Sequence, residues 1–234
     1  MHLFYIPDIS DEIIKLDPYE SRHAIKVLRL GKGSVVRVVD GKGGFYTAEI
    51  IDPDNKNCCL KVTESLKEYG KKDFYLHIGI APTKSIDRFE WFLEKSAEIG
   101  IDEITPMLTY HSERKKINSE RLEKIVISAI KQSAKAYLPK INKLTKFNDL
   151  INNCDVKKKY IAHCNGLQKP HLKDIILLNS DYIILIGPEG DFSPDEIQKA
   201  NKKGFNSISL GRSRLRTETA GVVACHIVNL VNTT

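Results

Sequence analysis

The alternation of short apolar segments with amphipathic segments beyond residue 73 constrains the fold of this chain more than any other feature. The apolar runs at 75–81 and 182–186 have the length of buried strands. Residues 85–99 and 119–137 carry apolar side chains three and four residues apart, which is the spacing of helices with one buried face. Strands that alternate with helices form a mostly parallel sheet flanked by helices. The sequence therefore predicts an α/β fold.

Three helix boundaries can be predicted in the same region. Gly100 follows the helix 85–99 and should stop it. The residues Ser193-Pro194-Asp195-Glu196 form a capping box with proline in the first turn, so a helix should run from there to Gly204. The helix 119–137 meets no breaker before Pro139, which is predicted to end it.

The first 70 residues have a different pattern, that of a small β-rich domain. Residues 34–39 and 45–51 read as two strands joined by a glycine-rich turn, and residues 58–63 as a third. A helix is expected over 18–28. The polar stretch 67–73 contains a glycine and is the best linker candidate, so we predict domains at 1–70 and 71–234.

The composition narrows the class of protein. With 41% hydrophobic and 28% charged residues, the chain is not collagen-like, coiled-coil or disordered. Its five cysteines include no C-x-x-C pair, so neither a disulfide framework nor a metal site is predicted. No apolar run is long enough to span a membrane, and the start lacks a signal-peptide pattern. We expect a soluble, cytoplasmic protein.

The positive charge is concentrated in one part of the sequence. The whole chain has 36 basic and 30 acidic residues, a net charge of +6. Residues 114–146 contain ten basic and two acidic residues, a local net charge of +8. This stretch is either an ordinary solvated face or a phosphate-binding surface. Few aromatic residues interleave with the lysines, so the sequence leaves both interpretations open.

The segment 185–194 is the first candidate for a ligand site. It joins the end of a strand to a capped helix through a loop of glycine and proline, and ligands of α/β sheets bind at such strand ends. It lacks the spacing of a phosphate loop, and Glu189 and Asp191 would repel phosphate. The loop is either a plain turn or a site for a neutral or cationic ligand.

The segment 209–220 is the second candidate. Arg212, Arg214 and Arg216 alternate with other residues immediately before a helix, and arginine favours bidentate contact with phosphate or carboxylate. Glu218 falls in the first turn, where the helix dipole favours its charge. A basic loop capped by Thr217 is the simpler interpretation, but the regular alternation favours a binding role.

Together, IGPEGDFSPDE at 186–196 and LGRSRLRTETA at 210–220 resemble the RsmE family of ribosomal RNA small-subunit methyltransferases, which belong to the SPOUT class. The resemblance extends through HAIKVLRLGK at 23–32, DGKGGFYTAEI at 40–50 and the stretch 84–106, in the family's order. Three positions depart from the family pattern: Asp191 where glycine is usual, Ser213 where an aliphatic residue is usual, and Lys135 where arginine is usual.

The resemblance implies a fold, an activity and partners. The fold is a SPOUT-type, trefoil-knotted, mostly parallel sheet flanked by helices, with a small N-terminal PUA-like β-barrel domain that binds RNA. The implied protein is a homodimer that uses S-adenosyl-L-methionine to methylate N3 of one uridine, uracil-1498 in the usual numbering, in 16S rRNA of the small ribosomal subunit. Two alternatives stay open: another SPOUT RNA methyltransferase, acting on a ribose 2′-OH or another base, and a non-catalytic RNA-binding assembly factor.

The resemblance also points to site residues. Arg216, Glu218 and Arg214 are the catalytic candidates, with an arginine stabilising the uracil anion and Glu218 or Glu189 taking the N3 proton. The walls of the cofactor site are expected to be the loop after residues 160–164, the loop 187–190 and the segment 210–220. The site is predicted to contain Cys164, Ile186, Gly187, Pro188, Glu189, Gly190, Leu210, Gly211, Leu215, Arg216, Thr217, Thr219 and Ala220. RNA contacts are predicted at Arg22, His23, Arg29, Lys84, Arg88, Arg114, Lys115, Lys116 and Lys135.

Overall fold

The computed structural model describes residues 2–166 and 168–233, and the chain divides into two compact units. The first unit comprises Met1–Lys71 together with Ile130–Leu138. The second comprises Lys72–Ala129 and Pro139–Thr234. Residues 130–138 were expected in the second domain, and their place in the first unit corrects that expectation.

The first unit is built on a five-stranded sheet with the order β1-β3-β4-β5-β2. The pair β1 and β3 is parallel, and the other three pairs are antiparallel. Alternate residues of β3 and β4, including Val36, Val38 and Ile50, are fully buried in its core, as strands with one covered face require. The strands are β1 Leu3–Tyr5, β2 Ile13–Lys15, β3 Val35–Val39, β4 Phe45–Asp52 and β5 Cys59–Leu66.

The helix expected over 18–28 is confirmed, in two pieces. Asp17 caps helix α1 (Pro18–Arg22), because its carboxylate accepts hydrogen bonds from the Tyr19 and Glu20 N–H groups at 2.7 and 2.9 Å. The chain continues from α1 as a π-helical turn, His23–Val27.

Residues 130–138 join the first unit through main-chain hydrogen bonds to the glycine-rich turn between β3 and β4. The Gly43 N–H donates to the Ala136 carbonyl at 3.0 Å, and the Leu138 N–H donates to the Gly41 carbonyl at 2.9 Å. A side chain on Gly43 would collide with the Tyr137 ring, so glycine is required for this close approach. These long-range bonds explain why residues 130–138 belong to the first unit although the chain before and after them belongs to the second.

The second unit contains a seven-stranded sheet, and the prediction of a mostly parallel sheet is confirmed. Six strands follow the order β12-β10-β11-β6-β7-β8, every neighbouring pair is parallel, and β9 also pairs with β7 in parallel. The strands are β6 Tyr75–Ile80, β7 Glu103–Leu108, β8 Lys140–Ile141, β9 Thr145–Lys146, β10 Lys158–Ala162, β11 Asp181–Ile186 and β12 Asn206–Ile208.

Helices follow most of these strands. Gly100 ends α2 with a φ of +126°, and the capping box of Ser193 and Glu196 begins α6, both as predicted. In α7, Gly221 allows close packing on α2, since a Cβ there would lie 2.5 Å from Cε2 of Phe92. The helices are α2 Ile86–Ile99, α3 Ser119–Gln132, α4 Phe147–Asn152, α5 Leu172–Ile175, α6 Pro194–Lys202 and α7 Thr217–Asn232.

Helix α3 ends at Gln132, so its predicted extension to residue 137 is wrong. Ala134 has a φ of +52°, in the left-handed region, which interrupts the helix before Pro139 can do so. The bonds of residues 136–138 to the turn at 41–43 compensate for the helical hydrogen bonds that are given up. Within the described residues, no helix has the length and apolar character needed to cross a bilayer.

Candidate active site

A cleft of about 1160 Å³ lies where β10, β11 and β12 end. Because these strands are parallel neighbours, the loops that follow them leave the same edge of the sheet and converge. The wall after β10 includes His163, Cys164 and Lys169, the wall after β11 consists of residues 187–189 and Asp191, and the wall after β12 runs from Ser209 to Arg216. The structure thus brings the two candidate segments of the sequence together with the loop after β10.

The loop after β11 is tied to the start of helix α7. The hydroxyl of Thr217 donates a buried hydrogen bond to the Gly187 carbonyl at 3.0 Å. A side chain at position 187 would lie 3.1 Å from the Phe192 ring, so glycine lets the loop fold closely over that ring. The floor of the cleft is therefore fixed by contacts between two segments that are 30 residues apart.

Glu189 links this loop to its neighbours. Its Oε1 accepts the Lys84 N–H at 3.0 Å, and its carbonyl accepts from Nη2 of Arg214 at 3.3 Å. Arg114 supports the same neighbourhood, since its guanidinium donates to the Thr83 carbonyl at 3.1 Å and to the Lys84 carbonyl at 2.7 Å. Two of the Arg114 donor groups are therefore occupied by main-chain carbonyls of the loop after β6.

Asp191 connects the loops after β10 and β11. It has a φ of +64°, and its Oδ2 accepts the Cys164 N–H at 2.8 Å. Its carbonyl is bonded to Nδ1 of His111 at 3.0 Å, and because a carbonyl only accepts, the proton is on Nδ1. The position that departs from the family pattern is therefore occupied by a side chain with specific partners.

Lys169 organises the loop after β10. Its ammonium donates to the carbonyls of His163 at 2.5 Å and Asn165 at 2.7 Å, and lies 3.3 Å from Nδ1 of His163. Burial lowers the pKa of Lys169. Burial, together with the nearby Lys169 charge, also lowers the pKa of His163, so its imidazole is neutral near pH 7.

Most of the predicted cofactor residues are found together at this cleft. Gly190 and Thr219 are the two that do not line it: Gly190 packs against His111, and Thr219 is half-buried in α7. The predicted residues that do line it are Cys164, Ile186, Gly187, Pro188, Glu189, Leu210, Gly211, Leu215, Arg216, Thr217 and Ala220.

The three catalytic candidates are placed differently. Arg214 and Arg216 are exposed and line the cleft. Glu218 is buried, with 6% of its surface exposed, and does not line the cleft. Within the described part of the chain, its Oε2 has no hydrogen-bond partner.

The predicted RNA contacts are divided between the two units. Arg22, His23, Arg29 and Lys135 belong to the first unit, while Lys84, Arg88, Arg114, Lys115 and Lys116 belong to the second. Lys115 and Lys116 are exposed, whereas Lys84 pairs with Glu113 at 3.0 Å.

The basic stretch 114–146 is divided between the two units, because residues 130–138 belong to the first unit and the rest to the second. Several of its charges are also paired within the protein. Arg121 binds Glu90 through two nitrogens, at 2.5 and 2.8 Å, and Lys131 pairs with Glu20.

The loop after β10 was predicted as a wall of the site, but Cys164 was the one residue of it that was named. The segment carries no motif, and only its position after a short apolar strand could have indicated its other residues. The cleft residues that were not named in the predicted site are Ala162, His163, Gly166, Gln168, Lys169, Pro170 and Ile208. Asp191, Ser209, Arg212 and Ser213 also line the cleft and lie within the two candidate segments.

Comparison with known proteins assigns this fold and cleft to a family. A model described as an RNA methyltransferase domain matches residues 71–229, and one described as an RNA methyltransferase PUA domain matches residues 16–63. Ribosomal RNA small subunit methyltransferase E of Rickettsia conorii is 32% identical over 89% of this chain and 86% of its own length. The chain therefore belongs to the ribosomal RNA small subunit methyltransferase E family.

Two solved structures have the same fold over almost their whole length. A probable rRNA-methyltransferase from Porphyromonas gingivalis is 41% identical, covers 99% of both chains and has a TM-score of 0.91. A methyltransferase from Legionella pneumophila in complex with the bound cofactor SAM is 27% identical, covers 98% of this chain and 97% of its own, and has a TM-score of 0.88. The expected SPOUT-type α/β fold with a PUA-like domain is confirmed.

Proposed function

We propose that this chain is a 16S rRNA (uracil-N3)-methyltransferase that takes its methyl group from S-adenosyl-L-methionine and acts on uracil-1498 of the small ribosomal subunit. The observation that carries the proposal is the cleft that unites the segments 186–191 and 210–217 in a chain of this family. The name of the Rickettsia relative supports the RNA substrate, and the ligand of the Legionella structure supports the methyl donor.

The chemistry of the cleft fits this donor. Ile186, Leu210 and Leu215 supply apolar surface suited to an adenine ring, and Glu189 supplies negative charge suited to a sulfonium. S-adenosyl-L-methionine supplies an activated methyl group when bound. Glycine at positions 187 and 211 leaves main-chain groups accessible in the two loops, where a hydrogen-bonding ligand can reach them.

The protein side chains must hold the uracil and stabilise its anion. N3 of uridine carries a proton at neutral pH, so its methylation requires loss of that proton. Arg216, which precedes α7 and lines the cleft, is our first candidate to stabilise the negative charge that develops on the uracil oxygens, and Arg214 is the second. Between the two carboxylates, Glu189 is favoured as proton acceptor, because it lines the cleft and Glu218 does not.

Binding of the RNA is assigned to both units. The PUA domain match supports this role for the first unit, with Arg22, His23 and Arg29 as candidates. In the second unit, the exposed Lys115 and Lys116 are suited to phosphate contact. We place the protein in the cytoplasm, where the small subunit is assembled, and expect it to act as a homodimer, as the family resemblance implies.

Nucleoside analysis of the RNA tests the proposal directly. Small subunits that lack the modification are incubated with the protein and labelled S-adenosyl-L-methionine, and the digested 16S rRNA is analysed by mass spectrometry. The expected product is 3-methyluridine at a single position. A 2′-O-methylated nucleoside would assign the chain to another SPOUT activity, and calorimetry that shows no cofactor uptake would assign it to RNA binding alone.

The role of Arg216 is tested by Arg216→Ala, with Arg216→Lys as the matched variant that keeps the charge. Removal of an electrostatic stabiliser should lower kcat by roughly 10²-fold or more, while the Kd for the cofactor stays within about threefold. Arg216→Lys should recover part of the rate. Full activity of Arg216→Ala would show that another residue stabilises the uracil anion.

A further inference from the structure

We propose that Asp191 is a positioning residue whose carboxylate docks the loop after β10 onto the turn after β11, and so shapes the cofactor cleft. The inference rests on the proposed function, because it concerns the site assigned to the methyl donor. It gives a role to Asp191, which so far is known only as a position where this sequence differs from the glycine usual in the family.

The first argument is the backbone of Asp191. Its φ of +64° lies in the left-handed region, which disfavours side chains but is tolerated by aspartate better than by most residues. The turn is closed by a 2.9 Å hydrogen bond from the Asp191 N–H to the Pro188 carbonyl. In addition, Oδ1 accepts the Phe192 N–H at 2.8 Å. These bonds hold the carboxylate in one orientation.

The second argument is the bond across the cleft edge. Strands β10 and β11 are paired in register, Ala162 with Ile186, so their following loops leave the sheet side by side. Oδ2 of Asp191 accepts the Cys164 N–H at 2.8 Å, and this is a charge-assisted bond to the main chain. A longer contact of 3.4 Å, from the Asn165 amide to the Phe192 carbonyl, joins the same two segments.

The third argument is the internal order of the docked loop. Because Lys169 bonds the carbonyls of His163 and Asn165, the residues on both sides of Cys164 are held by one ammonium group. A bond at Cys164 therefore positions a preorganised segment and not a single residue. Cys164 and Asp191 both line the cleft, so the distance between its two walls depends on their contact.

Two substitutions separate the contact from the backbone strain. Asp191→Gly removes the carboxylate and relieves the positive φ, so the variant should fold. Asp191→Asn keeps an acceptor oxygen and tolerates the same φ. We expect Asp191→Gly to raise the Kd for both S-adenosylmethionine and S-adenosylhomocysteine about five- to tenfold, and Asp191→Asn about twofold. With saturating cofactor, kcat should stay within about twofold, because the contact positions the loop and does not touch the reacting atoms.

The thiol of Cys164 gives a readout that needs no cofactor. It is exposed on the docked loop, so its alkylation by iodoacetamide, followed by peptide mass mapping, should accelerate in Asp191→Gly. Asp195→Asn is the control, since Asp195 lies nearby on α6 and its exposed side chain pairs with Lys199. This control should match the wild type in both alkylation and cofactor affinity.

Each outcome decides the matter. Unchanged alkylation of Cys164 in Asp191→Gly would overturn loop docking, as would unchanged affinity for both ligands. Weaker binding of S-adenosylmethionine alone would also overturn it, because a direct contact with the sulfonium would then be the cause. If the wild type bound no cofactor, the proposed function would fail, while the alkylation rates would still test the docking contact.

Discussion

Replacement of Thr217 by valine should destabilise the protein and loosen the cofactor cleft. The Thr217 hydroxyl donates the 3.0 Å hydrogen bond to the Gly187 carbonyl that ties the loop after β11 to α7. Thr217 is only 5% exposed, so water cannot replace the lost donor. Valine has nearly the same shape, so the substitution removes the bond without opening a cavity.

The magnitude follows from the burial of both partners. A buried carbonyl left without its donor costs about 1–3 kcal/mol. We therefore expect the free energy of unfolding to fall by roughly 1–2 kcal/mol, the lower half of that range. Because Gly187 lines the cleft, the Kd for S-adenosylmethionine should rise about threefold or more, which corresponds to about 0.7 kcal/mol.

Urea unfolding followed by circular dichroism measures the first quantity, and calorimetric titration measures the second. Thr217→Ser is the matched control, because it keeps the hydroxyl and loses only a methyl group. If Thr217→Val unfolded within about 0.3 kcal/mol of the wild type, or if Thr217→Ser were equally damaging, the hydrogen bond could not be the stabilising contact.

Other predictions concern packing, pH and RNA. Gly221→Ala should lower the melting temperature, because overpacking against the Phe92 ring costs about 1–3 kcal/mol. This cost exceeds the gain of roughly 1 kcal/mol in helix propensity. Adding Phe92→Leu to the Gly221→Ala variant should restore part of the lost stability. Burial alone would raise the pKa of Glu103, but hydrogen bonds from Asn142 and Tyr75 outweigh it and lower the pKa to about 2. The Glu103 carboxylate should therefore add about 1–2 kcal/mol, after solvent screening, to the free energy of unfolding. This stabilisation should be complete above the ordinary glutamate pKa and be lost as the pH falls towards 2. The stability of Glu103→Gln, measured over the same pH range, should lack this decrease. Replacing Lys115 and Lys116 together by alanine should reduce the salt dependence of RNA binding by about 1.4 in log–log slope, and an unchanged slope would remove them from the interface.

The longer elements and two of the cleft walls could be predicted from local patterns in the sequence, and the family resemblance added the third wall, the loop after residues 160–164. Strands such as β6 and β11 are continuous apolar runs, and the capping box of Ser193 and Glu196 is a local signal, so each could be recognised without knowledge of its neighbours. The loops 187–190 and 210–217 could be predicted for the same reason, because each is a contiguous motif.

What could not be predicted depends on contacts between distant parts of the chain. Strands β1, β2, β8 and β9 have two or three residues each, too few to show an alternating pattern. Apart from Cys164, the residues of the wall after β10 were not named, because they reach the cleft through the position of β10 between β11 and β12, and that order is set by the whole sheet. Glu218 was predicted as a candidate acceptor of the N3 proton, yet its side chain is buried and does not line the cleft.

The bonds of residues 130–138 to the turn at 41–43 have a consequence for biosynthesis. The first unit is discontinuous in sequence, so its last segment is made only after most of helix α3 has been translated. On the ribosome, the N-terminal unit can therefore form these bonds only after Leu138 has left the exit tunnel. A fragment that ends at residue 70 would leave the Gly41 carbonyl and the Gly43 N–H without these partners, whereas a fusion of residues 1–71 to 130–138 through a short linker would retain them.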